Sequence, residues 1–147
     1  MDKTVLFTIG FTKKSAEAFF EKLVEAGVKK IIDIRLNNIS QLAGFTKKND
    51  LIYLLRKICD CGYTHKPLLA PTKEILDNYK KGKIGWPEYE KRFNDLLLAR
   101  KVHTFVNTTE LHMACLLCSE PTPDRCHRRL VAEYLKSQFE NIEVKHL

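Results

Sequence analysis

The stretch TVLFTIGFTKKSAEAFFEKLVEAGVKKIIDI, residues 4–34, decides the fold. Thr4 to Ile9 is a short apolar run with Gly10 just after it, the pattern of a buried strand ending in a turn. Ala16, Phe19, Phe20, Leu23 and Val24 then recur at helical spacing, with Ser15 as N-cap and Gly27 as the C-terminal stop. Val28 to Ile34 is rich in β-branched residues and predicts a second strand. Strand, helix and strand at this spacing form a βαβ unit, so the two strands are expected to run parallel through a right-handed crossover.

The rest of the chain continues the alternation. Leu36 to Thr46 reads as a loop. Asp50 is expected to cap a helix carrying Leu51, Leu54, Leu55 and Ile58, stopped near Gly62, and Tyr63 to Leu69 is a short extended piece. Thr72 begins a helix with Ile75, Leu76 and Tyr79 that ends at Gly82, and Trp86, Tyr89, Phe93, Leu96 and Leu97 mark another. Val102 to Leu111 fits neither period. His112 to Leu117 predicts a strand, Leu130, Val131, Tyr134 and Leu135 a helix, and Ile142 to Leu147 a last strand. The expectation is an α/β fold, a single three-layer domain over residues 1–147 with a largely parallel sheet flanked by helices.

Composition narrows the class. The 147 residues are 44% hydrophobic and 29% charged, which excludes disordered and membrane-like chains. No run approaches the roughly 20 apolar residues of a spanning helix. The N-terminal apolar run is too short for a signal peptide, which argues for the cytoplasm, and the five cysteines are an odd number, so reduced thiols are expected. The net charge of +7 suits an anionic partner, but Lys13-Lys14, Lys29-Lys30, Lys47-Lys48 and Lys80-Lys81 are spread along the chain and form no single stripe.

In open parallel sheets ligands bind beyond the carboxyl ends of the strands. Three such ends can be read: Gly10-Phe11-Thr12, Asp33-Ile34-Arg35, and Cys118-Ser119-Glu120 followed by Cys126-His127-Arg128. Parallel strands put all three on one edge. Asp124 is the expected N-cap of the following helix, which places Cys126 in its first turn, where free N–H groups and the helix dipole favour a thiolate or a bound anion. Cys126 is therefore expected to be the most reactive thiol, with Cys118 next. Counting back from Leu130 and Val131 puts Cys126 and His127 on the core-facing side and Arg129 outside. Asp33 and Arg35, two apart on a strand, share a face; they form either a local ion pair or a site in which Asp33 orients or accepts a proton and Arg35 grips an anion with both arms of its fork.

Several signatures fail. Cys115 and Cys118 match C-x-x-C, but residues three apart on a strand face opposite sides, so no zinc knuckle is expected there. Cys118, Cys126 and His127 are suitable metal ligands without an obvious fourth, and no metal is assigned. The sixth position after Cys118 is Asp124 and after Cys126 is Ala132, so the Cys-x5-Arg phosphatase loop is missing, as are dinucleotide-binding and Walker motifs.

The segments Thr8-Ile9-Gly10, Asp33-Ile34-Arg35, Asn38 to Phe45, Leu69-Ala70-Pro71-Thr72-Lys73 through Trp86, Leu117-Cys118-Ser119-Glu120 and Cys126-His127-Arg128 resemble those of domain-of-unknown-function family 488. The resemblance covers essentially the whole chain and implies an α/β fold with an unassigned role. Many members carry a small polar pair, often His-Ser, after the first Gly, where this chain has Phe11-Thr12.

The leading expectation is an enzyme, or an enzyme-like binder, for a small anionic ligand such as a phosphate or carboxylate. Cys118 or Cys126 is the nucleophile or redox thiol, His127 the acid/base, and Asp33 and Glu120 the orienting groups. Gly10, Thr12, Arg35 and Arg128 hold the anion. No cofactor is assigned. The alternatives are a non-catalytic nucleic-acid-binding module and a Cys/His metal site; nucleic acid is disfavoured because no aromatic run interleaves the lysines.

Overall fold

The computed structural model of the chain describes residues 3–38, 44–119 and 124–147. Five strands form one sheet: β1 (Thr4–Gly10), β2 (Lys30–Asp33), β3 (Gly62–His65), β4 (Ala114–Cys118) and β5 (Ile142–His146), in the order β3-β2-β4-β1-β5. Every neighbouring pair is parallel. The helices are α1 (Ala16–Ala26), α2 (Lys48–Leu54), α3 (Lys73–Lys80), α4 (Trp86–Arg100), α5 (Thr108–Leu111) and α6 (His127–Gln138).

Strand alternation splits the core into two layers. Leu6, Ile32, Ala114 and Leu116 pack with Phe93, Leu97, Leu130, Val131 and Leu135 from α4 and α6. Phe7, Ile9, Ile31, Cys115 and Leu117 pack on the other face with Phe19, Phe20 and Leu23 of α1 and Leu51 of α2. Each buried Leu, Ile or Phe contributes about 1.5–3 kcal/mol relative to exposure, so both faces of the sheet are held. The strands read as continuous apolar runs because both faces are covered.

The first βαβ unit follows its sequence signals. Ser15 Oγ accepts from the Ala18 N–H at 3.1 Å and starts α1. Gly27 ends it in the left-handed region at φ 75°, and its N–H bonds the carbonyls of Leu23 and Val24. A side chain there would be strained and would also meet Met113 Cε at 3.4 Å.

Other boundaries differ from expectation. α2 starts after Lys47, so Asp50 lies inside its first turn and does not cap it; the helix then widens into a π-helical turn over Leu55–Cys59. The extended piece expected over Tyr63 to Leu69 is β3 plus a tight 3-10 turn at Pro67–Leu69. Val102 to Leu111 holds a 3-10 turn at Val102–Thr104 and the short α5, capped by Asn107. β2 begins at Lys30, later than Val28, and β4 begins at Ala114, after Met113 turns the chain at φ 61°. No helix among the described residues is long and apolar enough to cross a membrane.

Candidate functional site

The parallel register brings the predicted strand ends together. Gly10 lies opposite Cys118, and Asp33 lies between Leu117 and His65 on its two neighbouring strands. The Thr12 N–H donates to the Ser119 carbonyl at 2.9 Å, and the Ile34 N–H to the Leu117 carbonyl at 3.1 Å, so the chain beyond β1, β2 and β4 stays in contact.

At the end of β4, Cys118 meets the start of α6. The expected Asp124 cap is not formed. Cys126 is the N-cap residue, in extended conformation, and the helix begins at His127. Asp124 and Arg125 form a turn, Cys126 is extended, and the first helical residue is His127, so the helix starts later than the Asp124 cap would set it. The Cys126 thiol donates to Cys118 Sγ at 2.7 Å. On its other side Cys118 Sγ meets His127 Nδ1 at 3.3 Å.

The imidazole is fixed. Its Nε2 lies 2.7 Å from the Ile34 carbonyl, which only accepts, so Nε2 carries the proton and Nδ1 faces the sulfur. The Phe93 ring stands edge-on to it at 5.6 Å. Burial alone lowers the pKa of His127. Cys118 beside Nδ1, the Ile34 carbonyl and the Asp33 charge outweigh it and set the value above that of an ordinary histidine. Burial pushes the Cys126 thiol well above the ordinary range, the contact with Cys118 adds to this, and the Arg128 backbone N–H and guanidinium pull weakly the other way.

The Asp33–Arg35 pair is almost fully enclosed, at 0% and 2% side-chain exposure. Arg35 Nε donates to Asp33 Oδ1 at 2.9 Å and Nη2 to Oδ2 at 2.8 Å, while Nη2 also reaches the Thr46 carbonyl at 2.8 Å. Tyr63 donates its hydroxyl proton to Asp33 Oδ2 at 2.5 Å and accepts from Asn38 Nδ2 at 2.9 Å. Burial and the neighbouring Asp33 hold the Tyr63 pKa above its usual value. The two-armed face of Arg35 expected to hold an anion is thus occupied by Asp33. Nη1 remains buried without a hydrogen-bond partner among the described residues. The guanidinium also lies over the Phe11 ring, 5.6 Å from its centroid.

A cavity of about 560 Å³ opens at this edge, with Cys118, Cys126 and His127 in its wall. Among the described residues four cationic side chains line it, Arg35, Lys73, Lys80 and Arg125, against one carboxylate, Asp77, which Lys73 engages at 2.8 Å. Tyr79 and Tyr89 supply an aromatic side. Gly10, Thr12, Asp33 and Arg128 are not among the described residues lining it. Thr12 is exposed, Asp33 holds Arg35 from behind, and Arg128 is fully buried. Glu120 lies outside the described residues. Lys73, Lys80 and Arg125 were not among the anion-holding residues expected from the sequence, because a lysine or arginine at a helix end reads the same whether it faces bulk water or a cleft. The one available signal was Thr72, whose Oγ1 caps α3 by accepting from the Ile75 N–H at 3.2 Å and so fixes where Lys73 stands.

The sulfurs of Cys118 and Cys126 and a ring nitrogen of His127 lie within 4.8 Å of one another, a soft donor set of three among the described residues. Two zinc-bound thiolates in a tetrahedral site stand about 3.8 Å apart, from Zn–S bonds of about 2.3 Å. The observed 2.7 Å between the sulfurs is much closer. Cys59 is half-buried; Cys61 and Cys115 are buried and lie with the opposite core layer.

No curated protein and no solved structure matches the chain. The family model described as "Domain of unknown function DUF488" matches residues 15–135, a span that holds the Asp33-Ile34-Arg35 and Cys118 to Arg128 segments and leaves Thr8-Ile9-Gly10 outside it. Matched over most of its length, the chain belongs to this family.

Proposed function

We propose that the cleft binds a small anionic ligand, bearing phosphate or carboxylate, and presents it to the Cys118 thiolate as nucleophile. One observation carries this reading: Cys118 Sγ sits between His127 Nδ1 at 3.3 Å and the Cys126 thiol at 2.7 Å, in the wall of a cavity lined by four cations. A thiolate is the reactive form of cysteine, and a neighbouring imidazolium together with a hydrogen-bond donor favours it. Cys126, as that donor, keeps its own proton. The order of reactivity anticipated from the sequence is therefore reversed in this reading, with Cys118 ahead of Cys126.

His127 holds the proton that a leaving group would take, and its contact with the Ile34 carbonyl keeps Nδ1 aimed at the sulfur. Arg35, in the cavity wall, adds positive charge to the cleft, and Asp33 is a positioning residue whose two oxygens accept from Arg35 and Tyr63. Lys73, Lys80 and Arg125 raise the local anion concentration.

The test is alkylation of the native chain with neutral iodoacetamide across a pH series, followed by peptide mapping. Cys118 should label fastest of the five thiols near neutral pH, and inorganic phosphate or sulfate should slow it. Labelling no faster than at Cys59, or indifference to both anions, would remove the reading. Tight, steeply salt-dependent binding of generic nucleic acid in the same preparation would favour the nucleic-acid module instead.

A further inference from the structure

We infer that Cys118 and Cys126 are a dithiol–disulfide couple whose reaction partner is a low-molecular-weight disulfide carrying carboxylates. This rests on the assignment of Cys118 as the attacking thiol and adds a second cysteine with a task of its own. The sulfurs are 2.7 Å apart. Closing to a disulfide bond of about 2.05 Å requires less movement than opening to the roughly 3.8 Å spacing of a zinc site. The junction between strand and helix helps. Cys118 is the last residue of β4 and is held in the sheet, and Cys126 is the N-cap of α6, extended in conformation and tied to the helix through its carbonyl, which accepts from the Arg129 N–H at 3.1 Å, so the two sulfurs meet where strand end and helix start adjoin.

The partner follows from the cleft. Both cysteines border a cavity of about 560 Å³, within the size range of small-molecule sites. Among the described residues its cations, Arg35, Lys73, Lys80 and Arg125, outnumber its one carboxylate, Asp77, and so favour anions. A macromolecular disulfide would not enter such a pocket.

The reaction balances within these groups. The Cys118 thiolate attacks one sulfur of R–S–S–R; the Cys118–S bond forms, the R–S–S–R bond breaks, and the first thiolate leaves and takes the proton held by His127. Cys126 then loses its proton and attacks Cys118 Sγ. The Sγ–Sγ bond forms, the Cys118–SR bond breaks, and the second thiolate leaves with the Cys126 proton. The chain gives up two electrons and two protons, and the substrate becomes two thiols. The reverse direction reduces the chain with two equivalents of the same thiol class.

The experiment uses the reduced full-length chain in a Cys59→Ser background, mixed with dithiobis(nitrobenzoate), an aromatic disulfide carrying two carboxylates that releases a coloured thiolate. The expected result is fast release of two coloured thiolates per chain, no retained adduct, and a mass lower by the two hydrogens of a Cys118–Cys126 disulfide on peptide mapping. Cys126→Ser should release one and retain the adduct on Cys118; Cys118→Ser should lose the fast phase. In a parallel arm, dithiodipropionate should react about tenfold faster than neutral hydroxyethyl disulfide, and Lys73→Gln with Lys80→Gln should narrow that ratio. A stable adduct on Cys118 in the unmutated pair would overturn the couple while leaving Cys118 as nucleophile. No adduct and no disulfide at either cysteine would remove both readings. Native mass spectrometry showing a retained zinc ion, released only when both cysteines are modified, would replace the couple with a metal site.

Discussion

Replacing Asp33 by alanine should be among the most damaging single changes in this chain. Asp33 is fully buried and accepts from Arg35 Nε at 2.9 Å, Arg35 Nη2 at 2.8 Å, the Arg35 backbone N–H at 3.1 Å and the Tyr63 hydroxyl at 2.5 Å. Removing the carboxylate leaves a guanidinium with only 2% exposure, whose remaining hydrogen bond is to the Thr46 carbonyl. Breaking a buried pair on one side costs about 3–5 kcal/mol, a large share of the 5–15 kcal/mol that holds a typical domain. The pair as a whole is different, because its mutual attraction is largely spent on desolvation. Asp33→Ala with Arg35→Met should therefore be about 2 kcal/mol more stable than Asp33→Ala alone. Urea unfolding of the four proteins of this cycle measures both numbers. A cost below about 1 kcal/mol for Asp33→Ala, or a double variant whose loss equals the sum of the singles, would refute the claim that the aspartate neutralises a buried charge.

Alkaline pH should destabilise the fold. Burial, assisted by the nearby Cys59, pushes Cys61 up to about 12 from 9.0, and burial pushes Cys115 well above the same value against the opposing charge of Arg128. Both thiols keep their protons in the fold where the unfolded chain has lost them, so their contribution is complete below the unfolded value near 9.0 and is lost as pH rises toward the folded values. Two such groups give a slope of about 2.7 kcal/mol per pH unit in that window, measurable by urea unfolding. Oxidation of Cys118 with Cys126 should raise the melting temperature by about 5–10 °C, since cross-linking so short a loop is worth about 2.5 kcal/mol; a calorimetric scan with and without reductant reads the shift. Gly27→Ala should cost about 1–2 kcal/mol, because φ is 75° and Met113 Cε lies 3.4 Å from the new methyl, and thermal unfolding should show the loss with the circular dichroism of the folded state unchanged.

The sheet was legible because its strands are short apolar runs with both faces covered, and such runs leave little choice of partner. Their ends were legible for the same reason: Gly10, Asp33 and Cys118 are where apolar character stops, and the parallel register does bring them together. Caps were legible only where a side chain makes the bond. Ser15 and Thr72 do so, whereas Asp50 and Asp124 are cap-type residues one to three positions from helices that start after Lys47 and Cys126. The roles of buried charges were not legible. Arg35 and Arg128 read as anion holders, yet Asp33 occupies one face of the first and the second lies wholly inside the fold. The other cations lining the cavity, Lys73 and Lys80 on α3 and Arg125 before α6, come from two segments whose meeting is decided by how α3 docks beside the sheet edge.

This division separates chemistry from ligand grip. The sulfurs and the imidazole come from residues 118, 126 and 127, on one strand end and one helix start. Among the described residues the cations arise at positions 35, 73, 80 and 125, on the segment after β2, on α3 and on the approach to α6. A shift of α3 would therefore move Lys73 and Lys80 without moving Cys118 relative to His127. Arg35 is the exception, since the same edge ties it to both parts: its carbonyl lies 2.8 Å from His65 Nε2, and the preceding Ile34 carbonyl holds His127. The backbone of residues 33–35 thus fixes the imbalance of charge on one side and the tautomer of the imidazole on the other. Asp33, which is not among the described residues lining the cavity, holds Arg35 there, while the Ile34 carbonyl next to it in sequence holds the imidazole.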